Sequence, residues 1–173
     1  HEDIKKKLMP KILEQEEKFK NNNRNLQNAY TNFFTDVPAT EHSDFLVEPS
    51  VLKPIVLQTI DEVISHMKTN NILPMPPYKE YFITNCWYTR YNTGGSFDYH
   101  SHGHSQSIID GQLAHTAFSI IYILSDQNDG NSTVFTTHDR NYLSIPDITV
   151  IDTAEFSDIK EGTVIIFPSN FHH

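Results

Sequence analysis

Two pairs of histidines, far apart along the chain, are the residues whose type and spacing could do chemistry. His100 and His102 lie two positions apart in a predicted strand, so their side chains leave the same face and can converge on one ion. A second pair, His172 and His173, follows an apolar run that is predicted to be a separate buried strand. Because octahedral iron and tetrahedral zinc both need a third protein ligand from elsewhere, the two pairs together predict a metal site.

The ligand pair near residue 100 has two alternatives. Asp98 and His104 lie on the same every-second-residue series as His100 and His102. The pair can therefore be Asp98 with His100, or His102 with His104, or the central pair, and we predict the central pair. Solvated surface histidines would explain either pair alone, but the matching buried strand before the second pair argues against that interpretation.

The rest of the composition limits the class of protein. From Tyr91 onward the chain holds seven of its ten histidines, and two basic residues against ten acidic ones give a net charge of −8. A duplex-binding surface needs clustered cations, so nucleic acid is not an expected partner. The single cysteine, Cys86, excludes a disulfide within the chain and a thiolate zinc site. No apolar run reaches the roughly 18 residues of a membrane helix, so we expect a cytoplasmic protein with no membrane partner.

Helical patterns dominate the first part of the 173-residue chain. Residues 3–30 are predicted to form a helix, with Pro10 as a candidate kink and the asparagines at 21–23 as a candidate end. Apolar residues at three- and four-residue spacing from Val51 to Met67 predict a second, amphipathic helix that ends near Asn70. We expect residues 1–72 to be a helical support segment, whose basic first helix covers the core or forms a homodimer contact.

Short β-branched and aromatic runs follow the proline cluster at 74–77. This spacing is typical of a sandwich or jelly roll, and not of a parallel sheet with crossover helices. The predicted fold is therefore mainly β with N-terminal helices, with a jelly roll over residues 73–173. The predicted strands are Tyr81–Tyr91, Phe97–His102, Ala114–Leu124, Ser132–Thr136, Ile148–Asp152 and Thr163–Phe167.

Several of these runs have the order and spacing of the motifs of one enzyme family. They are Trp87–Gly94, Phe97 with His100 and His102, Ser119–Leu124, and Phe167-Pro168-Ser169 with His173. Together they resemble the iron(II)- and 2-oxoglutarate-dependent oxygenases, both the prolyl-hydroxylase-like enzymes and the oxygenases common in marine bacteria and phages. The resemblance covers about residues 80–173.

The resemblance implies a cupin-like double-stranded β-helix that holds Fe(II) through His100, His102 and His173. It also implies 2-oxoglutarate as co-substrate, ascorbate as a candidate reductant, and Tyr91 and Tyr122 as hydrogen-bond donors to the co-substrate. The implied reaction is hydroxylation of an unactivated C–H bond in a peptidyl substrate, such as a prolyl residue, or in a small molecule.

Two features depart from the family pattern. His102 stands where most members have Asp, which leaves the implied metal site one negative charge poorer. The Arg or Lys that binds the distal carboxylate of 2-oxoglutarate in the family lies beyond the distal histidine. We therefore expect the present sequence to be a fragment that lacks the closing strand of the jelly roll.

Two other classes of function fit the same histidines. A cupin would be a metal-dependent isomerase, a dioxygenase that does not use 2-oxoglutarate, or a sugar-binding module. The two cupin motifs are matched by Gly94, His100, His102, Gly162, Pro168 and His173. Gln106 stands where cupins have Glu, and Asn170 where a Gly is usual. A three-histidine zinc hydrolase with a metal-bound hydroxide is the third alternative.

Overall fold

The chain forms two compact units, His1–Asp98 and Tyr99–His173, here called the N-terminal and C-terminal units. The computed structural model describes residues 1–19, 26–32, 49–71, 81–102, 106–109, 111–126, 132–138, 148–156 and 158–173. The boundary predicted between residues 72 and 73 falls inside the N-terminal unit. The support and catalytic roles assigned to the two predicted segments stay predictions.

Two α-helices are described in the N-terminal unit. α1 spans Glu2–Phe19 and continues through Pro10, and α2 spans Lys53–Thr69 after a short 3-10 turn. The predicted amphipathic helix is confirmed, because α2 ends at Thr69, directly before Asn70, and buries part of the stripe on which it was predicted. Its buried residues are Val56, Ile60 and Ile64. Neither helix is both long and apolar enough to cross a membrane.

The prediction of one helix over residues 3–30 was wrong for its last part. Leu26–Thr31 is a strand, β1, which pairs antiparallel with β2, Thr89–Phe97. The pairing supplies backbone hydrogen bonds that a local propensity cannot anticipate. Residues 33–48 lie outside the described residues.

The two glycines before the first histidine pair lie inside β2, where the β1–β2 pairing is irregular. Gln27 pairs with Ser96 and Ala29 pairs with Tyr91, so Asn28 alone faces residues 92–95. A side chain at Gly95 would bring its Cβ within 2.5 Å of the Asn28 carbonyl oxygen. Only glycine permits this close approach, which forms a bulge in the ladder.

A partly buried ion pair fastens α1 to this two-stranded sheet. The Arg90 Nε donates a hydrogen bond to the Glu16 carboxylate at 2.7 Å, and its guanidinium lies over the Tyr30 ring at 4.9 Å from the centroid. Burial, together with the nearby Glu16 charge, raises the pKa of Tyr88 to about 12. Arg90 therefore has a structural role within the N-terminal unit.

The C-terminal unit consists of short antiparallel strand pairs. β3 pairs with β4, β5 with β8, and β6 with β7. The strands are β3 Gln106–Ile109, β4 Gln112–His115, β5 Phe118–Tyr122, β6 Val134–His138, β7 Ile148–Asp152 and β8 Val164–Pro168. The predicted helix-plus-strand composition is confirmed in this coarse form. Among the described residues these pairs close no barrel, so the jelly roll stays a prediction.

Three of the six predicted strands, Ser132–Thr136, Ile148–Asp152 and Thr163–Phe167, are confirmed within a few residues, and the other three were placed wrongly. The predicted strand Tyr81–Tyr91 is a regular strand only from Thr89, where β2 begins, and Cys86 before it makes an isolated bridge. The predicted strand Phe97–His102 is not a regular strand after Phe97. The predicted strand Ala114–Leu124 is divided between β4 and β5.

Candidate metal centre

The first histidine pair is held by single backbone contacts and not by a regular strand. The His100 N–H donates to the His173 carbonyl at 3.0 Å, and the His173 N–H donates to the His100 carbonyl at 2.9 Å. This exchange of both hydrogen bonds is that of two directly opposite residues in an antiparallel ladder. It brings His173 beside His100 although they are far apart in sequence.

Ser169 links the end of β8 to the second histidine of the His-x-His run. Its carbonyl accepts a hydrogen bond from the His102 N–H at 3.1 Å. Its own N–H donates to the Ala117 carbonyl at 3.1 Å, and its Oγ donates to the Thr116 carbonyl at 3.0 Å. The side chain is 0% exposed. Ser169 therefore positions His102 relative to β8 and to the segment before β5.

We expect Ser169→Ala to lower the free energy of unfolding by about 0.5–1.5 kcal/mol, because the partly buried hydrogen bond from the Ser169 hydroxyl to the Thr116 carbonyl is lost. Urea denaturation followed by far-UV circular dichroism measures this loss. Ser125→Ala is the matched control, since the Ser125 hydroxyl makes an exposed hydrogen bond to Glu161. An equal loss in both variants would contradict the positioning role of Ser169.

The two C-terminal histidines have different surroundings. The His172 carbonyl accepts a hydrogen bond from the Thr136 N–H of β6 at 2.9 Å, and the His172 ring stacks on Tyr99 with centroids 5.2 Å apart. The His173 ring instead contacts His100. This alternation follows from the period of two in extended chain. It assigns His173, and not His172, to the candidate metal centre.

The candidate metal centre is formed by His100, His102 and His173, whose ligand nitrogens all lie within 4.8 Å of one another. The ring centroids are 5.1 Å apart for His100 and His102, 4.4 Å for His100 and His173, and 5.2 Å for His102 and His173. A zinc–imidazole bond is about 2.0–2.1 Å long, so small side-chain rotations suffice for all three rings to reach one ion. All three side chains are half-buried.

The surroundings of His173 fix how its ring can bind a metal. Its Nδ1 lies 3.1 Å from the Phe171 carbonyl oxygen, which can only accept, so Nδ1 carries the proton. Nε2 is then the nitrogen with the lone pair, as in metal-binding histidines whose other nitrogen donates to a carbonyl. On its apolar side the ring contacts Phe167 at 4.8 Å and Phe135 at 6.0 Å between centroids.

The surroundings of His102 and His173 favour the neutral form of both rings. Burial, together with the nearby His173 and His100, lowers the pKa of His102 to about 4. Burial also lowers the pKa of His173, with smaller contributions from neighbouring histidines, while its bond to the Phe171 carbonyl acts in the opposite direction. Above these pKa values the unprotonated rings predominate, so at pH 7 both offer a lone pair to a cation.

The structure brings together three of the predicted site residues, His100, His102 and His173. Asp98 belongs to the N-terminal unit, and His104 lies outside the described residues. Tyr91 lies in β2 of the N-terminal unit and is 48% exposed, and partial burial raises its pKa. Tyr122 ends β5, opposite Val164 of β8. The proposed contacts of both tyrosines with a co-substrate stay predictions.

Sequence reasoning missed the part that β6 has in this centre. Phe135 is buried, and its ring packs on Phe167 at 4.7 Å between centroids, while the next residue, Thr136, pairs with His172. The alternation of Val134, Phe135 and Thr136 indicated a strand, but it could not indicate which segment that strand would contact.

Comparisons with known proteins identify no relative: no family model, no curated protein and no solved structure matches this chain.

Proposed function

We propose that this chain is an Fe(II)- and 2-oxoglutarate-dependent dioxygenase that hydroxylates an unactivated C–H bond of a peptidyl substrate, such as a prolyl residue, or of a small molecule. The observation that carries the proposal is the convergence of His100, His102 and His173 in the C-terminal unit. These are the residues that the family resemblance implies as ligands. Ascorbate is the accessory reductant that this reaction class would use.

The donor set fits a divalent transition metal. Three neutral imidazoles suit iron, zinc, copper and nickel, whereas magnesium and calcium prefer oxygen ligands. The set differs from the two-histidine, one-carboxylate triad of non-haem iron oxygenases at His102 only. When bound, Fe(II) together with 2-oxoglutarate would supply the oxidising chemistry that amino-acid side chains lack.

The residues of this chain would bind and shield that metal. His100 and His173 are fixed as a backbone pair, which reduces the backbone freedom lost on binding. The Phe171 carbonyl holds the His173 ring in one tautomer. Phe167 covers one side of that ring and excludes water there. A substrate would approach from another side, and its identity is not determined by the scaffold.

The experiment that tests this function measures O2-dependent conversion of 2-oxoglutarate to succinate by full-length, anaerobically purified, Fe(II)-loaded protein. We expect turnover in the unmodified protein and loss of turnover in His100→Ala. His115→Ala is the matched control, because His115 is exposed in β4 of the same unit. Absence of succinate formation in a protein that binds Fe(II) would refute the oxygenase proposal.

Restoring a carboxylate by His102→Asp is expected to preserve Fe(II) affinity or to increase it. The change introduces the hard, charged oxygen ligand that iron sites of this type employ. The dissociation constant, measured by anaerobic competition against a chromophoric chelator, should equal or fall below that of the unmodified protein. Complete loss of metal from the folded variant would contradict the expectation that a carboxylate can replace the imidazole at residue 102.

An all-imidazole donor set also supports a second candidate function, a cupin-type metal protein. His100 and His102 match the paired histidines of the first cupin motif, and neutral histidine ligands are common to cupins and to catalytic zinc sites. Metal analysis of anaerobically purified protein separates zinc from iron. Iron without 2-oxoglutarate turnover would favour the cupin-type function over the oxygenase.

The remaining expectations for the molecule accompany this proposal. A homodimer, a cytoplasmic location and a small-molecule or peptide substrate are compatible with it, as is a chain that makes no use of nucleic acid or membrane.

A further inference from the structure

The hairpin formed by β3 and β4 begins and ends beside the candidate metal centre. On one side, β3 starts four residues after His102. On the other side, the two residues that follow β4, Thr116 and Ala117, accept hydrogen bonds from Ser169 through their carbonyl groups. The Ser169 carbonyl also accepts from the His102 N–H, so one buried residue connects both ends of the hairpin to a candidate ligand.

Among the described residues, neither outer edge of this hairpin has a neighbouring strand, because β3 and β4 pair only with each other. The two residues 110–111 join the strands, so the closing pair, Ile109 with Gln112, exchanges both of its backbone hydrogen bonds. The next pair along the hairpin is Ile108 with Leu113. Since bonded and non-bonded pairs alternate, this pair directs its N–H and C=O groups outward, one residue at each edge.

The hairpin also lacks the features that prevent an edge strand from pairing with another chain. Ile108 is 78% exposed and Leu113 is 61% exposed, and as directly opposite residues they lie on one face. Neither strand contains a Lys, Arg, Asp, Glu or Pro, the residues with which natural edge strands avoid such pairing. An added strand would therefore find outward main-chain groups at its edge and an apolar contact on one face, as in peptide binding by β-strand addition.

The charge of the C-terminal unit determines which kind of strand can be added. Tyr99–His173 contains nine acidic and two basic residues, which give a net charge of −7. A second copy of this chain would bring the same negative charge to the hairpin, whereas a segment rich in Lys or Arg is attracted to it. A small molecule lacks the repeated amide groups that a strand edge binds. The occupant that fits is an extended, cationic polypeptide segment.

We propose that the β3–β4 hairpin recruits a polypeptide substrate by strand addition, through an extended segment in which basic and apolar residues alternate. The inference rests on the proposed dioxygenase function and narrows its substrate class to polypeptides. Strand residues advance about 3.3 Å each, so Leu113 lies at most about 10 Å along the chain from Thr116, which Ser169 holds. The hairpin therefore binds residues that flank the reacting residue of the substrate, and not the reacting residue itself.

The test measures binding of a fluorescein-labelled peptide of alternating Lys and Val to the full chain by fluorescence anisotropy. It is done at low ionic strength, where charge attraction is least screened, and without O2 or 2-oxoglutarate. Two control peptides separate the contributions: Glu in place of every Lys reverses the charge, and N-methylation of the backbone amides removes the main-chain donors. We expect either change to weaken binding by roughly tenfold or more.

Two proline variants test whether the hairpin edge is the binding site. Ile108→Pro and Leu113→Pro each remove one outward N–H, and proline is tolerated at such edge positions. Alanine at the same position is the matched control, because it removes the apolar side chain and keeps the N–H. We expect at least one proline variant to bind the Lys-Val peptide roughly fivefold or more weakly than its alanine counterpart. Unchanged Mn(II) affinity shows that each variant is folded.

The position of the bound peptide is measured separately from turnover. Mn(II) bound to the protein should broaden the NMR resonances of the bound peptide, with Zn(II)-loaded protein as the diamagnetic control. No binding of the Lys-Val peptide, equal affinity for all three peptides, proline variants that bind like their alanine controls, or a bound peptide without broadening would each overturn the inference and leave the dioxygenase proposal standing. Peptide binding to an Fe(II)-loaded protein that forms no succinate would instead refute the dioxygenase, and the substrate role with it.

Discussion

His100→Ala is expected to abolish stoichiometric binding of Fe(II) or Mn(II) and, with it, any turnover that depends on the metal. His100 contacts both other candidate ligands, with ring centroids 5.1 Å from His102 and 4.4 Å from His173. Loss of residues that only orient a metal ligand costs roughly 10- to 100-fold in affinity, so loss of a ligand itself should exceed that range. Anaerobic equilibrium dialysis with metal analysis measures the effect.

His172→Ala is the matched control for this experiment, because His172 is the neighbour of a candidate ligand but stacks on Tyr99. The dissociation constant of this variant for Fe(II) or Mn(II) should stay within a few fold of that of the unmodified protein. Retention of full affinity in His100→Ala would exclude the triad. Loss of affinity in His172→Ala together with retention in His173→Ala would exchange the roles of the two C-terminal histidines.

Ile60→Asp is expected to unfold the protein at 25 °C, so that no cooperative unfolding transition is observed. Ile60 is 6% exposed and lies between Val56 and Ile64 on the buried stripe of α2. Burying a carboxylate without a partner costs several kcal/mol, which is comparable with the roughly 5–15 kcal/mol that stabilises a typical domain. Circular dichroism during thermal and urea denaturation measures the loss.

Ser65→Asp gives the comparison for that variant, since Ser65 is exposed on the same helix. An exposed substitution of this kind should change the free energy of unfolding by less than about 0.5 kcal/mol. A wild-type unfolding midpoint in Ile60→Asp would mean that the apolar stripe of α2 is not part of a core.

The elements that could be predicted are those whose signal is local. α2 has its apolar residues at three- and four-residue spacing, so its buried face follows from its own sequence. β1 has no such signal, because Leu26–Thr31 combines an asparagine and a glutamine with few β-branched residues. Its strand character depends on Ala29 and its neighbours pairing with β2, a contact between segments far apart in the sequence.

The candidate site likewise has features that the sequence predicted and features that it could not predict. Spacing predicted that His100 and His102 share a face, and the apolar run before His173 predicted a third histidine nearby. The sequence could not indicate that backbone bonds from His173 and Ser169, and not a continuous strand, would hold the pair. The Ser169 carbonyl that accepts from His102 and the Thr136 N–H are main-chain groups, which every residue type possesses, so no composition or motif marks these contacts.

Because His172 and His173 are adjacent, this segment would place a histidine beside His100 in either of two registers. A shift by one position would turn every side chain to the other face and present His172 in place of His173 beside His100. The metal would still meet an imidazole, so ligand chemistry alone cannot distinguish the two frames. The register of this segment is therefore set by two backbone pairs, His173 with His100 and His172 with Thr136. A single alanine inserted between Phe171 and His172 should thus leave a metal-binding protein whose aromatic stack on Tyr99 is lost.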